Sequence, residues 1–331
     1  MAFRIGQFFF DGAPWLAPLA SVSSAPFRQI CLEHGCGQAV TEMVSCEALV
    51  RNIEKTARRL DRASGERVLI VQLFGSNPQT MAKAAAIAVE HGKADILDIN
   101  MGCPVRKIVG TGSGVALMRD PDRAAAIVEH VAQAVHPIPV TVKMRAGWDV
   151  DTNTVQIAQR VVGAGAQALA IHGRTREQCH KGKTRWDIIA AVKQAVPVPV
   201  IGNGGVRTFA DAHAMLAETQ CDAIMVGRGS LGNPWVFQNI LRERDDIPLI
   251  TERFRVVRQH LSLQVLHAGE QLGVREMRKQ LVWYFKGLPA SAMVREQLHA
   301  LRTEREMRSL LDEYEEVLVE DWAGQGETIG P

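Results

Sequence analysis

The chain has 331 residues, of which 47% are hydrophobic and 22% charged, and its net charge is +2. These values are ordinary for a soluble globular protein with a large core. No apolar run reaches the roughly 18 residues that a membrane span needs, and Phe8-Phe9-Phe10 is too short for a signal peptide, so we expect a cytoplasmic protein. The six cysteines contain no CxxC pair, which predicts free thiols and neither a zinc site nor a disulfide framework.

Short runs rich in Val, Ile and Leu recur along the first 230 residues, and a helical stretch follows each of them. Such runs are typical of parallel strands buried on both faces, with crossover helices between them. Eight units that close on themselves predict an α/β fold, a (β/α)8 TIM barrel. The predicted strands are Trp15–Leu19, Ala39–Thr41, Val68–Leu73, Ile96–Ile99, Val140–Met144, Ala168–His172, Val200–Asn203 and Ala223–Val226.

The alternation stops after Pro248, and helical patterns follow. The predicted helices are Glu252–Leu272, Arg275–Lys286, Ser291–Ala300 and Thr303–Val319, with a break at Gly287-Leu288-Pro289. We therefore expect a barrel domain over residues 1–248, an all-helical domain over 249–322 and a flexible tail over 323–331. Residues 253–308 include 11 Arg or Lys and 5 Glu, a balance that suits either contact with a polyanion or a solvated helix surface.

Polar residues stand at or just beyond the carboxyl ends of six predicted strands. They are Gln72, Asn100, Lys143, His172, Asn203 and Arg228. These strand ends form the active-site face of such a barrel, so we expect the side chains to converge on one pocket. Taken singly, Lys143 could be a lysine at a strand end and His172 a core histidine. Packing alone does not account for six such residues at equivalent positions.

Two glycine-rich turns follow the last two predicted strands, Gly202–Val206 and Gly227–Gly229. Loops at these places are the usual phosphate-binding position of the barrel, and Arg228 adds a bidentate donor. They predict a ligand that carries a phosphate, as FMN does. The run Gly110–Gly114 suggests a dinucleotide loop, but it lacks the spacing and the surrounding Rossmann unit, so we interpret it as a flexible lid.

One cysteine directly follows the fourth predicted strand, in the run Asn100-Met101-Gly102-Cys103-Pro104. Gly102 allows the backbone to approach a ligand closely, and Pro104 stiffens the turn. A thiol held at a fixed point can serve as a proton donor or as a nucleophile, or it can be inert. These residues alone leave the choice open.

Taken together and in order, the motifs resemble those of the tRNA-dihydrouridine synthases over almost the full chain. The matching segments are Ala17-Pro18-Leu19-Ala20, Pro26-Phe27-Arg28, Thr41-Glu42-Met43, Gln72-Leu73-Phe74-Gly75, Asp98 to Pro104, Val142-Lys143-Met144-Arg145, Ile171 to Arg176, Asn203-Gly204-Gly205 and Gly227-Arg228-Gly229. The run from Gly227 to Trp235 is most similar to the bacterial B-type members.

The resemblance implies an oxidoreductase that uses FMN and NADPH to reduce the C5=C6 bond of a uridine in the tRNA D-loop, at position 17 for B-type members. A hydride would pass from the flavin N5 to C6, and Cys103 would give a proton to C5. An ordinary thiol has a pKa of about 8.5 and is mostly protonated at neutral pH, which suits a general acid. Lys143 and Arg174 would stabilise negative charge on the uracil carbonyls, and Asn100 would bind the base edge.

The resemblance also implies a set of cofactor-binding residues on the barrel's carboxyl face. They are Pro18, Leu19, Ala20, Gln72, Lys143, His172, Asn203, Gly204, Gly205, Gly227 and Arg228. The target base must leave the folded tRNA, and the basic helical segment would bind the phosphate backbone. We expect a monomer. The pair Cys179-His180 departs from the family's pattern, which often has a tyrosine there, and we interpret Cys179 as a bystander.

Two alternatives remain. One is an FMN-dependent barrel that reduces or oxidises a free pyrimidine, against which the helical domain argues, because a small substrate needs no such platform. The other is an RNA-binding protein without catalysis, against which the presence of Cys103, Lys143 and His172 argues.

Overall fold

Strands and helices alternate along most of the protein, and helices follow. The structure, a computed structural model, describes residues 2–149 and 153–324. The strands are β1 (Phe3–Ile5), β2 (Phe8–Phe10), β3 (Trp15–Leu16), β4 (Gln38–Ala39), β5 (Val44–Ser45), β6 (Ile70–Phe74), β7 (Ile96–Met101), β8 (Val140–Arg145), β9 (Leu169–His172), β10 (Val200–Asn203) and β11 (Ala223–Val226).

The helices pack outside the sheet or form the carboxyl-terminal part of the chain. They are α1 (Ala25–Glu33), α2 (Cys46–Arg51), α3 (Ile53–Ala57), α4 (Pro78–Glu90), α5 (Arg106–Val109), α6 (Pro121–Val135), α7 (Thr154–Gly163), α8 (Trp186–Ala195), α9 (Phe209–Thr219), α10 (Val236–Leu241), α11 (Ile250–Ala268), α12 (Glu270–Tyr284), α13 (Ser291–Leu298) and α14 (Glu304–Gly324). No helix within the described ranges is long and apolar enough to cross a membrane.

The parallel strands curl into a closed barrel. Their order is β4-β3-β11-β10-β9-β8-β7-β6-β5, and every pair of neighbours is parallel. The ring closes where a parallel bridge joins Val40 to Ile70 and the Thr41 amide donates to the Ile70 carbonyl at 3.0 Å. The prediction of a (β/α)8 barrel followed by helices is confirmed.

A hairpin that the sequence patterns did not predict covers the amino-terminal end of this barrel. Its strands β1 and β2 are antiparallel, and the rings of Phe3 and Phe10 pack on Trp15 at centroid distances of 6.0 and 5.0 Å. The same apolar cluster includes the first residues of barrel strands, among them Ile70 and Ile96. Since this end is filled with apolar side chains, the opposite, carboxyl end is left for a site.

The carboxyl-terminal helices differ from the prediction at several boundaries, most clearly between the first two helices. The expected helix 252–272 ends at Ala268, because Gly269 adopts a left-handed φ of +77° and α12 then begins a new direction. Gly273 permits the two helices to pack closely, since a Cβ there would lie 2.8 Å from the Gln264 carbonyl oxygen. Residues 323 and 324 belong to α14 rather than to a tail, and residues 325–331 lie outside the described residues.

The charges of the helical part are only partly available to a partner. The Arg258 guanidinium pairs with Asp312 at 2.5 Å and Glu315 at 2.6 Å, so the acidic α14 neutralises some of the basic segment. Arg278 lies close enough to Arg275 and Arg302 for both to lower its pKa, after the larger effect of burial. Among the described residues these three arginines form no ion pair.

Candidate active site

A cavity of about 480 Å³ opens at the carboxyl ends of the barrel strands. Every residue predicted for the site lies on its wall: Pro18, Leu19, Ala20, Gln72, Asn100, Cys103, Lys143, His172, Arg174, Asn203, Gly204, Gly205, Gly227 and Arg228. The structure thus brings together residues that are up to 210 positions apart, because parallel strands end at one edge. The wall also contains residues that the predicted set lacked, among them Met43, Arg145, His180 and Arg207.

The turn that carries Cys103 is held by hydrogen bonds on both sides. The Asn100 side-chain oxygen accepts from the backbone amides of Gly102, at 3.1 Å, and Cys103, at 2.9 Å. The Cys103 carbonyl accepts from the Val115 amide at 3.1 Å. Close packing adds to this, since a Cβ on Gly114 would lie 2.7 Å from the Cys103 carbonyl oxygen. The thiol therefore stands at a defined point beside the cavity.

The run Gly110–Gly114, expected from the sequence to be a flexible lid, packs its last residue, Gly114, against this turn. Its Thr111 carbonyl accepts from Ser76 Oγ at 2.7 Å, and Thr111 Oγ1 lies 2.9 Å from Ser113 Oγ. Ser113 is buried. Gly110 and Thr111 are exposed, whereas Ser113 and Gly114 are buried, so the second half of the segment supports the Cys103 turn and a lid movement of the first half stays a prediction.

The Cys103 thiol is half-buried, and burial raises its pKa above the ordinary value. A hydrogen bond from the Val105 amide and the charge of Arg145 act in the opposite direction but do not cancel this effect. The thiol is therefore protonated at neutral pH. That state suits a proton donor and not a nucleophile, which needs the thiolate.

Lys143 is a half-buried cation on the cavity wall. Its Nζ donates to the side-chain oxygen of Asn203 at 3.0 Å, and the Asn203 amide nitrogen donates to the Met225 carbonyl at 2.6 Å. Burial lowers the pKa of Lys143 to about 8, with a further decrease from Arg145 and an opposing increase from Asp98. At neutral pH the ammonium group is still charged and can stabilise negative charge that develops on a ligand.

Arg145 joins the Cys103 turn to the loop after β9. Its Nε donates to the Gly102 carbonyl at 2.7 Å, and its Nη1 donates to the carbonyls of Thr175 and Cys179, at 3.1 and 2.7 Å. Burial lowers its pKa to about 10, so it stays charged at neutral pH. The sequence contained a signal for this residue, because strand periodicity places positions 143 and 145 on the same face of β8.

His172 is a neutral imidazole at the end of β9. Burial lowers its pKa well below the usual range, and the neighbouring cations Lys143, Arg145 and Arg174 lower it further. Its Nδ1 accepts from the Arg174 amide at 3.3 Å. Gly204 lies against the ring, since a Cβ there would be 3.3 Å from Nε2. A neutral ring beside a glycine leaves room for a planar ligand.

Arg174, Arg207 and Arg228 form a positive cluster beside the glycine-rich loops that follow β10 and β11. Arg228 and Arg207 both lower the pKa of Arg174, after the larger effect of burial. Arg174 donates Nε and Nη2 to the Gly182 carbonyl at 3.1 and 3.0 Å, while its buried Nη1 has no hydrogen-bond partner. In the part of the chain that the structure describes, none of the three forms an ion pair. An unpaired buried donor among like charges indicates an anion-binding site.

Comparisons with known proteins agree with this geometry. The family model "Dihydrouridine synthase (Dus)" matches residues 15–320. The chain is 39% identical to tRNA-dihydrouridine synthase B of Pasteurella multocida, over 96% of this chain and 97% of that protein. It is 42% identical to a probable tRNA-dihydrouridine synthase of Rhizobium leguminosarum, over 89% of this chain and 92% of that protein.

Among solved structures, the crystal structure of TcOYE with pHBA is similar with a TM-score of 0.55. It shares 12% identity and covers 74% of this chain and 92% of that one, which supports the barrel fold alone. The family match and the two relatives extend over nearly the whole chain, and they include the Cys103 turn and the glycine-rich loops after β10 and β11. The chain therefore belongs to the dihydrouridine synthase family and is most like its B-type members.

Proposed function

We propose that this protein is a cytoplasmic, FMN-dependent tRNA-dihydrouridine synthase that reduces the C5=C6 bond of a D-loop uridine, with NADPH as electron donor. One observation carries the proposal beyond family membership. The protonated Cys103 thiol is held at a fixed point beside the same cavity as the half-buried cation Lys143 and the arginine cluster. Reduction of a uracil ring needs these groups, because a proton must be given and negative charge must be stabilised.

The loops after β10 and β11 fit a flavin with a terminal phosphate. Gly204 and Gly205 have φ values of +109° and +94°, which side chains rarely adopt, so the sequence keeps this stretch free of side chains. The unpartnered Arg174 Nη1 lies beside Arg228 and provides a donor for phosphate oxygens. Because it belongs to this cluster, we assign Arg174 to the phosphate side instead of the uracil carbonyls expected from the resemblance.

The remaining cofactor-binding residues would border the flavin ring. We propose that they are Pro18, Leu19, Ala20, Gln72, Lys143, His172, Asn203 and Gly227, all on the cavity wall. When bound, FMN supplies the hydride for C6 of the base. Lys143 then stabilises the negative charge that grows on the uracil, and Cys103 gives its proton to C5. Arg145 adds a second positive charge close to that thiol.

Asn100 has one hydrogen available for the base. One amide hydrogen reaches Gln72 Oε1 at 2.8 Å, whereas the other has only the Met43 sulfur at 3.9 Å, which is a weak acceptor. We propose that this second hydrogen binds an oxygen of the uracil edge.

Arginines on the helical part would bind the tRNA backbone. Arg275 and Arg302 are exposed and, with Arg278, form a positive group without an ion pair among the described residues. Phosphate contacts of this kind supply affinity that falls as salt increases. The same group argues against a free pyrimidine as substrate, since a small molecule in the barrel gains nothing from arginines on α12 and beyond α13.

The proposal is tested with purified protein, FMN, NADPH and tRNA from cells that lack dihydrouridine. Mass spectrometry of the digested tRNA should show dihydrouridine at one D-loop position, which we expect to be position 17, and free uridine should remain unreduced. Reduction of free uridine without reduction of tRNA would instead support the free-pyrimidine reductase. A protein that binds no FMN would contradict both functions.

Replacing Arg228 by alanine should weaken FMN binding by about 10- to 100-fold, because a charge-assisted hydrogen bond to phosphate is lost. Quenching of flavin fluorescence measures the dissociation constant. Arg244→Ala is the matched control, since that exposed arginine pairs with Asp246 and lies outside the cavity wall. Equal affinity in the Arg228→Ala variant and the wild type would contradict the phosphate assignment.

A further inference from the structure

A chain of buried side chains leads from the barrel wall to the Cys103 turn. Asp98 Oδ1 accepts from Thr141 Oγ1 at 2.7 Å, and its Oδ2 accepts from Gln72 Nε2 at 2.6 Å. Gln72 Oε1 then accepts from Asn100 Nδ2 at 2.8 Å. Asn100 Oδ1 accepts in turn from the backbone amides of the turn. Asp98, Gln72 and Asn100 are all buried, so water does not compete for these bonds.

The direction of each hydrogen bond in this series follows from the carboxylate of Asp98, where the series begins. An ionised carboxylate can only accept hydrogen bonds, so the Gln72 amide must point its NH2 group at Asp98. Its carbonyl then faces Asn100, which must point its own NH2 group at Gln72. That orientation leaves the Asn100 carbonyl facing the Gly102 and Cys103 amides, where an acceptor is required. With either amide reversed, donors would face donors.

Both carboxylate oxygens of Asp98 accept hydrogen bonds in the structure, Oδ1 from Thr141 and Oδ2 from Gln72. Burial raises the pKa of Asp98, and these two hydrogen bonds and the positive charge of Lys143 oppose that rise. The carboxylate is not on the cavity wall, and it is connected to that wall by its hydrogen bond from Gln72. Its part in the site is therefore exerted through other residues.

We propose that Asp98 is a positioning residue, whose carboxylate sets the direction of the Gln72 and Asn100 amides and so fixes the Cys103 turn. The catalytic consequence rests on the proposed function, which gives Cys103 the proton transfer. The structural part of the proposal does not depend on that function, because it concerns only the hydrogen bonds that fix the Cys103 turn.

Exchanging the residue types at positions 98 and 100 tests the direction of these hydrogen bonds. Asn100→Asp alone places Gln72 between two carboxylates, and one of them must face its carbonyl. Adding Asp98→Asn provides a donor at the far end, so Gln72 can reverse and its two hydrogen bonds can form again in the opposite sense, while Thr141 and the turn amides donate as before. We expect amide hydrogen exchange at Gly102 and Cys103 to speed up about tenfold or more in Asn100→Asp, as when a buried hydrogen bond is broken. In the double variant it should return to within about twofold of the wild type.

Thr141→Val serves as the matched control, since it disturbs the same carboxylate without reversing an amide. It should lower the melting temperature but leave exchange at Gly102 and Cys103 near the wild-type rate. Equal exchange in Asn100→Asp and in the double variant would overturn the proposal. If Asn100→Asp alone does not fold, recovery of folded protein in the double variant is the same rescue, and failure of both would overturn it.

The exchange experiment needs neither tRNA nor NADPH. A wild-type protein that forms no dihydrouridine would therefore contradict the proposed function while the exchange rates still decide the role of Asp98.

Discussion

Replacing Cys103 by alanine should slow dihydrouridine formation on tRNA by about 10²- to 10⁴-fold, the usual contribution of a general acid. The thiol is protonated at neutral pH because burial raises its pKa, and the turn from Asn100 to Cys103 keeps it at a defined point. Alanine removes the proton donor but preserves the backbone and its hydrogen bonds. The rate is measured in a single turnover, from the reoxidation of reduced flavin on addition of tRNA.

Cys179→Ala is the control for this variant. Cys179 is exposed, and its backbone carbonyl, which accepts from Arg145, is retained in alanine. We expect its rate to stay near that of the wild type. FMN affinity should be unchanged in both variants. A Cys103→Ala enzyme as fast as the wild type would show that the C5 proton comes from another donor.

Replacing Lys143 by methionine should reduce the single-turnover rate by about 10²- to 10³-fold, as for removal of one preorganised electrostatic contact. The ammonium group is hydrogen-bonded to Asn203, and desolvation by burial lowers its pKa, so its charge is positioned and partly desolvated on the cavity wall. Methionine has a similar length and no charge. The test compares the rate at saturating tRNA, where a loss of affinity does not contribute.

The pH profile separates the charge of Lys143 from its shape. With a pKa of about 8, Lys143 is charged below that pH and loses its proton above it, so the wild-type rate should fall as pH rises through about 8. Lys143→Arg, which stays charged, should lack this step and decline only at higher pH, where Cys103 ionises. A wild-type rate that is constant from pH 7 to about 9 would contradict a role for the charge.

The lowered pKa of Lys143 also makes the free energy of unfolding depend on pH. The folded chain loses the Lys143 proton at about pH 8, whereas an unfolded chain keeps it up to the ordinary value of 10.5. The unfolded state therefore binds more protons in this interval, and the contribution of Lys143 to the free energy of unfolding rises with pH between these values. Below pH 8 the penalty for the buried charge is fully present.

Much of the barrel could be predicted because its strands are local patterns. β6, β8 and β10 are apolar runs in the sequence and strands in the structure, with polar residues at the same carboxyl ends. The elements that were missed have little local signal. β1 and β2 have three residues each and are held by packing of Phe3 and Phe10 on Trp15, a contact that strand periodicity does not contain.

The boundary at Gly269 was missed for a related reason. The helical pattern continues across this residue, and a glycine within a pattern is compatible with an uninterrupted helix. The packing of α11 on α12, with Gly273 against the Gln264 carbonyl, decides that the chain turns there.

The sequence by itself determined the barrel, the helical extension and the residues that meet at the strand ends, since period and position along each strand specify them. Only the tertiary structure decided how these residues act. Burial raises the pKa of the Cys103 thiol and makes the Lys143 ammonium a stronger acid, and hydrogen bonds through two side-chain amides link Asp98 to the Cys103 turn. Burial and amide direction depend on neighbours that are remote in the chain, so no local pattern contains them.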